Sequence, residues 1–510
     1  MPESVGKRTV RASAFNVASS LIQAVVQFGR TVVLARLLEP EVFGVYAFAG
    51  AWISATSSVA TFGLGAGLLH RARESEGEMA LRVHFTLSQI FSLGWALALA
   101  LAALFAIPDT MPRETLWVVW ILIATSVVSG LTHTSRVLLM RRVVFRRIAL
   151  VTMVSTVIQT CAAIVLAWQG FGVWSLVATN LTNAALTVLG YLMYRPVWRP
   201  RLGWSWETAR YLLDFGRKSF LATLLNRALD QVDDLWTGTF LGDGPLGFYA
   251  RAYRFATYPR SVLASPLNAV AGGTYAELRG KRKQLSQAFF RVNAFLLRTG
   301  FLFAGLLALV APELIRILLG AKWLPMLLAF RLMLIFTLLD PLRGTVANLF
   351  VAEGCPEKTV RARLLQLAVL VAGLFLFGPR WGIAGVAVAV DVMLVVGIGM
   401  LLWQARAHVD FSVVRLFAAP TVALVVAMVA GRAAIELPGV MGSHWRTGAV
   451  KAAVFLPLYA ALLLALERRQ VLRLVQTGRQ LLPQGLGDSA SLRRWLPGAE
   501  KRSEKPKRSM

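Results

Sequence analysis

The chain has 510 residues, of which 56% are hydrophobic and 16% charged, and its mean hydropathy is +0.61. Soluble domains carry about 25% charged residues, so this composition excludes an ordinary water-soluble enzyme, while apolar runs of about 20 residues along the whole length indicate a polytopic helical membrane protein. The net charge of +28, from 54 Lys and Arg against 26 Asp and Glu, then asks which side of the bilayer carries the excess and is no sign of nucleic acid.

Fourteen spans are predicted, near 12–37, 45–69, 84–107, 115–139, 148–168, 172–194, 217–241, 247–271, 286–311, 324–351, 361–378, 382–405, 413–431 and 447–466. The start is read as a first span and not as a cleavable leader, because Lys7, Arg8 and Arg11 lead into a full-length apolar stretch with no small-residue cleavage site. Assigning the N-terminus, every second loop and the tail to one side collects most of the 54 basic residues there. Dense clusters such as Arg141, Arg142, Arg146 and Arg147, or Lys281, Arg282 and Lys283, contribute to that side, and only a handful fall on the other. The positive-inside rule therefore places both termini in the cytoplasm. The segment 195–216, rich in Trp and Arg, reads as an interfacial linker between two groups of spans. The tail begins as an amphipathic helix and ends in the basic run Lys501–Met510. Cys161 inside a span and Cys355 beside a short connection imply no disulfide framework.

Two stretches repeat. Leu38, Gly44, Tyr46 and Ala47 after the first span match Leu241, Gly247, Tyr249 and Ala250 after the seventh at a constant offset, and Gly172-Val-Trp-Ser opening span six echoes Gly382-Ile-Ala-Gly opening span twelve. An even number of spans separates the copies, so both run the same way across the membrane, and transporters built from such repeats hold substrate at the repeat interface.

Charged residues inside spans cost about 2.5–3.5 kcal/mol each at the bilayer centre even on the lenient scale, so they are expected to face partners or a wet cavity. Span one carries Asn16, Ser20, Gln23, Gln27 and Arg30 on one narrow arc, and span seven carries Asn226, Asp230, Asp233, Asp234 and Thr237 on another. Span eight shows Arg251, Arg254, Tyr258 and Ser265 on one stripe. These faces fit either a hydrophilic central cavity or intramembrane pairing, for instance of Arg251 with an aspartate of span seven. Asp340 and Arg343 are three residues apart and can neutralise each other, whereas Arg298 and Asp391 are lone charges in mid-span.

The Leu38–Ala47 motif, Phe62-Gly-Leu-Gly-Ala-Gly-Leu-Leu-His-Arg71, Leu138-Leu-Met-Arg-Arg-Val-Val-Phe145 and Leu246-Gly-Phe-Tyr-Ala-Arg-Ala-Tyr-Arg254 resemble the polysaccharide transporter family. This is the group of Wzx-type lipid-linked oligosaccharide flippases in the multidrug/oligosaccharidyl-lipid/polysaccharide superfamily, and the resemblance runs over residues 5–465. It implies an all-α membrane protein with a six-helix bundle over 1–194, the linker over 195–216, a second six-helix bundle over 217–405 around a central cavity, two additional spans over 406–466 and a basic tail over 467–510. It also implies carriage of an undecaprenyl-diphosphate-linked repeat unit across the bacterial inner membrane. Polysaccharide polymerase and chain-length proteins are possible partners, beside membrane lipid.

The cationic cavity of such flippases is matched by Arg30, Arg251, Arg254 and Arg298, with Gln27 beside them. Asp230, Asp233, Asp234 and Asp391 are the candidate coupling or cavity acids, because three carboxylates within five residues cannot all stay ionised comfortably in a low-dielectric site. Two alternatives stay open. A multidrug exporter of the same fold would favour acidic and aromatic cavity residues. A membrane glycosyltransferase or polymerase would place catalytic carboxylates or His in a large outer loop, where 432–446 offers only Glu436 and His444. No metal-ligand cluster, phosphate loop or nucleophile constellation stands in the sequence, so neither catalysis nor a cofactor is expected.

Overall fold

The computed structural model describes residues 22–70, 77–109, 111–142, 144–194, 196–436 and 443–481, and every regular element among them is helical. The first half comprises α1 (residues 22–37), α2 (Pro40–Thr61), α3 (Leu64–His70), α4 (Glu78–Ala106), α5 (Glu114–Gly130), α6 (His133–Arg141), α7 (Phe145–Trp168) and α8 (Val173–Val188), with a π turn over Leu189–Met193. The second comprises α9 (Trp206–Leu241), α10 (Asp243–Glu277), α11 (Arg282–Leu318), a 3-10 turn (Ala321–Met326) leading into α12 (Leu327–Ala352), α13 (Glu357–Ala405), α14 (Val413–Ala433) and α15 (His444–Leu481).

Nine of the described helices are long and apolar enough to cross a bilayer, and the α5–α6 pair, bent by 44° around Leu131 and Thr132, makes a tenth. The helices α9 and α10 have 36 and 35 residues, ample for the bilayer, yet are too polar to count among those ten because Asp230, Asp233, Asp234, Arg251 and Arg254 lie in them. Their polarity marks the helices that face something other than lipid.

Helix α13 is a hairpin. Gly382 sits at φ 57° and ψ −137° in its middle, a backbone region open to glycine and strained for other residues. Gln366 packs on Gly397 and Phe377 on Gly385. A straight helix would hold Gln366 and Gly397 roughly 46 Å apart, so their contact shows that the chain reverses at Gly382 and spans twice. That reversal falls between predicted spans eleven and twelve, as expected, whereas two other boundaries moved. Span two breaks at Phe62 and Gly63 into α2 and α3, and α9 begins at Trp206, so the second half of the predicted linker is helix continuous with span seven. One face of that start is buried: Ala209 and Leu212 pack with Leu64, Leu68, Leu81 and Leu138.

The face where α3 and α6 end, and where α4, α9 and α11 begin, carries the dense basic clusters; it is the basic face here. On the opposite, far face the two halves lock together. A Cβ on Gly44 would stand 1.8 Å from the Asp243 carbonyl oxygen, and one on Gly247 would stand 1.9 Å from that of Pro40. The repeated motif thus supplies the bare backbone that lets the starts of α2 and α10 touch, with each repeat glycine resting on the helix start of the other copy. Trp323 donates its indole N–H to the Ala35 carbonyl at 2.8 Å, and Lys322 donates to the Leu38 carbonyl at 2.9 Å and to Glu39 at 3.2 Å. Arg36 donates to the Leu318 carbonyl at 2.9 Å. One hydrophobic core joins α1, α2 and α7–α9 to α10–α15 around Phe43, Tyr249, Phe289, Trp323 and Phe350. A second joins α2, α4, α5 and α8 around Trp95 and Leu122.

Candidate functional site

Inside that far-face seal lies a cavity of about 430 Å³ lined from both halves: Tyr46, Ser54, Ser126 and Asn180 from the first, Asp230, Asp234, Arg251, Tyr253 and Arg254 from the second. Arg251 places its guanidinium over the Phe43 ring, 4.2 Å from the centroid, a contact worth about 2 kcal/mol when desolvated. Arg251 also interacts electrostatically with Arg254, Arg30, Tyr46 and Tyr258. Arg30 on α1 faces the same group, because α1 packs on α10 through Phe28, edge-on to Phe255 and Tyr258 at 5.8 and 5.2 Å. The structure therefore brings Arg30, Arg251 and Arg254 together. Nη1 of Arg30 and Nε of Arg251 are buried without a hydrogen-bond partner among the described residues. Such donors cost about 1–3 kcal/mol, more for charged groups, while nothing accepts from them. Three like charges thus lie close together, Arg30 and Arg251 partly buried and Arg254 exposed.

The acids divide. Asp230 and Asp234 line the arginine cavity, and Arg254 interacts electrostatically with Asp234. Asp233 instead accepts a 2.5 Å hydrogen bond from the Tyr249 hydroxyl and is buried. By the repeat offset Asp233 corresponds to Arg30 and Tyr249 to Tyr46, so the same position beside the same tyrosine carries a cation in one half and an acid in the other. Tyr46 accepts from Asn180 Nδ2 at 2.7 Å. Asp391 is buried on α13, neither carboxylate oxygen has a hydrogen-bond partner among the described residues, and it lines neither this cavity nor the one described next. Gln27, one turn before Arg30, is half-buried and also lines neither.

Arg298 does not belong to the cationic group. Its guanidinium is bonded to Glu467 at 2.5 Å, with both side chains about 5% exposed, and its backbone carbonyl accepts from the Tyr459 hydroxyl. The correction has a simple physical cause: α15 runs past the last predicted span and breaks at Glu467, which brings a carboxylate to a cation 169 residues away. Lys451 and Glu313 form a second buried pair at 2.7 Å between α15 and α11. Asp340 and Arg343 neutralise each other at 2.7 Å, as their spacing suggested.

A second cavity of about 500 Å³ continues from the first into the helices α2, α4, α5, α6, α7 and α8, sharing Ile53, Ser126 and Asn180 with it. It reaches Arg136, which is exposed near the basic face. Ten Ser and Thr side chains line it. Charge patterning missed this cavity because Arg136 is its one arginine and no acid lines it; the density of hydroxyl residues in spans two to six was the available signal.

Residues 33–328 match the model of the family described as polysaccharide biosynthesis protein. The chain is 28% identical over 342 residues to the succinoglycan biosynthesis transport protein ExoT of Rhizobium meliloti (strain 1021), covering 63% of this chain and just under two thirds, 65%, of that relative. It is 19% identical over 397 residues to the lipopolysaccharide biosynthesis protein WzxC of Escherichia coli (strain K12), covering 75% and 78%. A solved structure of the lipid II flippase MurJ in an inward closed conformation superimposes over 90% of this chain and 99% of that one, with a TM-score of 0.73 at 12% identity; it shares the fold. With more than half of its length matched by the family model, the chain belongs to the polysaccharide biosynthesis protein family.

Proposed function

We infer that this protein is a flippase: by alternating access it carries a polyprenyl-diphosphate-linked oligosaccharide repeat unit across the bacterial inner membrane, for export of a surface or secreted polysaccharide. The observation that supports this is the grouping of Arg30, Arg251 and Arg254 within the membrane-spanning region, where Arg30 and Arg251 each bury a guanidinium N–H with no partner among the described residues. A diphosphate cannot cross about 30 Å of hydrocarbon unaided, and guanidinium groups bind phosphate oxygens in a fixed fork. The names of ExoT and WzxC, transport in succinoglycan biosynthesis and lipopolysaccharide biosynthesis, support the same class of cargo.

The basic face is the cytoplasmic one by the positive-inside rule, which places both termini in the cytoplasm. With the far face locked at Gly44 and Gly247, the cavities then belong to a form that admits cargo from the cytoplasmic side. Residues up to 194 and 217–405 are the two bodies that rock, and the last two spans ride on the second through the Arg298–Glu467 and Lys451–Glu313 pairs. Asp230 and Asp234, facing the arginines, are assigned to ion coupling. The carried unit would pass to a polymerase on the far side.

Asp230 and Asp234 in the cavity also favour a second reading, a multidrug exporter taking organic cations. Binding separates the two. The purified protein in lipid nanodiscs should bind undecaprenyl diphosphate, with affinity falling about tenfold or more in Arg251→Gln and Arg254→Gln, as expected for lost charge-assisted hydrogen bonds. Binding of ethidium or rhodamine with no binding of the diphosphate would replace the flippase by the exporter.

A further inference from the structure

The cavity beside the arginines has a chemistry of its own. Among its lining residues there is no carboxylate, Arg136 at its mouth is the one guanidinium and His133 beside it the one imidazole. Several of the hydroxyls have already donated their proton to their own helix: Thr125 and Ser126 to the Leu122 carbonyl, Thr132 to Ser129, Thr152 to Ile148, and Thr187 to Asn183, all at 2.7–2.9 Å. What those oxygens present to the cavity is lone pairs. Asn183 is oriented the opposite way: its Oδ1 accepts from Ser155 at 2.9 Å, which turns the amide NH₂ outward as a donor. Trp95 has its indole N–H committed to Thr56 at 2.8 Å, leaving the ring as the part that lines the cavity.

Such a lining selects by exclusion. An organic cation finds no carboxylate here, an anion finds a guanidinium only at Arg136 and meets many oxygen lone pairs elsewhere, and an apolar molecule would strip water from polar groups without replacing its hydrogen bonds. A ligand that both donates and accepts over its whole surface, with an apolar face for an aromatic ring, fits all three features, and that is a sugar. The volume is in the range of small-ligand sites, about 300–1,000 Å³.

We propose that the hydroxyl-lined cavity of α2, α4, α5, α6, α7 and α8 is a glycan subsite, which reads the sugars next to the diphosphate while the diphosphate stays on the arginines. It deepens the flippase assignment and rests on it. Ser126 and Asn180, which line both cavities, stand where the sugar joins the phosphate. Asn183, Thr187 and Ser129 then belong to the selectivity of the carrier and not to its hold on the anion.

The test uses the full chain in nanodiscs and four probes: undecaprenyl diphosphate alone, and the same lipid carrying one glucose, one galactose or one N-acetylglucosamine. The wild type should bind at least one sugar-bearing lipid about tenfold more tightly than the bare diphosphate, the gain expected from two or three neutral hydrogen bonds. Asn183→Leu and Ser129→Val should erase that advantage and leave the bare lipid unaffected, which also shows that the variants are folded. Thr187→Val removes one hydroxyl at equal volume and should shrink the advantage severalfold even if the other variants fail to fold. Arg251→Gln should weaken every probe alike. A wild type indifferent to sugar, or variants that keep the full sugar advantage, overturns the subsite and leaves the flippase standing. Failure of the wild type to bind any of the four lipids overturns the flippase and the subsite with it.

Discussion

The far-face lock rests on two glycines, and adding one carbon to either should tilt the transport cycle. In Gly44→Ala the new Cβ would meet the Asp243 carbonyl oxygen at 1.8 Å, and in Gly247→Ala it would meet that of Pro40 at 1.9 Å. Both obstacles are backbone, so α2 and α10 must part by more than an ångström before ordinary contact distances return. Overpacking of this kind costs about 1–3 kcal/mol. The cost falls only on the state in which the two helix starts touch, so a penalty near 2 kcal/mol shifts the balance between far-face-closed and far-face-open forms by about 30-fold. Spin labels at Arg113 and Arg380 bracket the far face, and labels at Arg142 and Lys283 bracket the basic face; all four residues are exposed. With Cys161 and Cys355 replaced by Ser, pulsed electron resonance should show the far-face distance lengthening and the basic-face distance shortening in either alanine variant. Unchanged distances at both faces, in a protein that melts like the wild type, would refute the lock.

Three further outcomes follow from named contacts. Arg298→Ala leaves Glu467 buried and unpaired and should destabilise the protein by roughly 3–5 kcal/mol, while the double change Arg298→Met with Glu467→Leu should recover most of the loss in thermal melting and neither should alter diphosphate binding. Arg282 holds the exposed Asp410 by bonds of 2.8 and 3.1 Å and keeps its carboxyl below the ordinary value of 3.8. Because the folded value is depressed, the pair's small stabilisation is present above that ordinary value and fades as pH falls through the lowered one; Asp410→Asn should therefore melt slightly below wild type at pH 7 in low salt and no differently once salt is high. Asp234→Asn should leave diphosphate binding intact and abolish the response of transport to an imposed proton or sodium gradient, and a full response in that variant would move the coupling site to Asp391 or Asp233.

The spans were legible in the sequence because about 20 apolar residues leave few other options, and the repeat was legible because its glycines are required where two helices touch. The reversal at Gly382 was legible as the boundary between spans eleven and twelve, but composition could not show where a single span bends: the break at Phe62 and the bend around Leu131 and Thr132 come from local backbone geometry and packing. The helical wheel grouped Arg251 with Arg254, yet it put Asp230, Asp233 and Asp234 on one arc. That arc straddles an edge between neighbours, so a small rotation sends Asp233 to Tyr249 and leaves the other two in the cavity. Arg298 looked solitary because its partner sits beyond the last predicted span, and pairing across 169 residues leaves no periodic trace. The hydroxyl-lined cavity escaped because Ser and Thr in spans commonly bond to their own helix, and only the fold shows ten of them around one space.

Carriage itself is the most direct test of the central claim. Proteoliposomes holding the full-length protein and a polyprenyl-diphosphate-linked oligosaccharide in both leaflets are treated with a membrane-impermeant oxidant of the glycan. The wild type should render the whole lipid pool reactive, because inner-leaflet molecules keep arriving outside, while Arg251→Gln and Arg254→Gln should leave the inner half protected. Protection of the inner half in wild-type vesicles, or equal loss of protection with and without the arginines, would contradict the account.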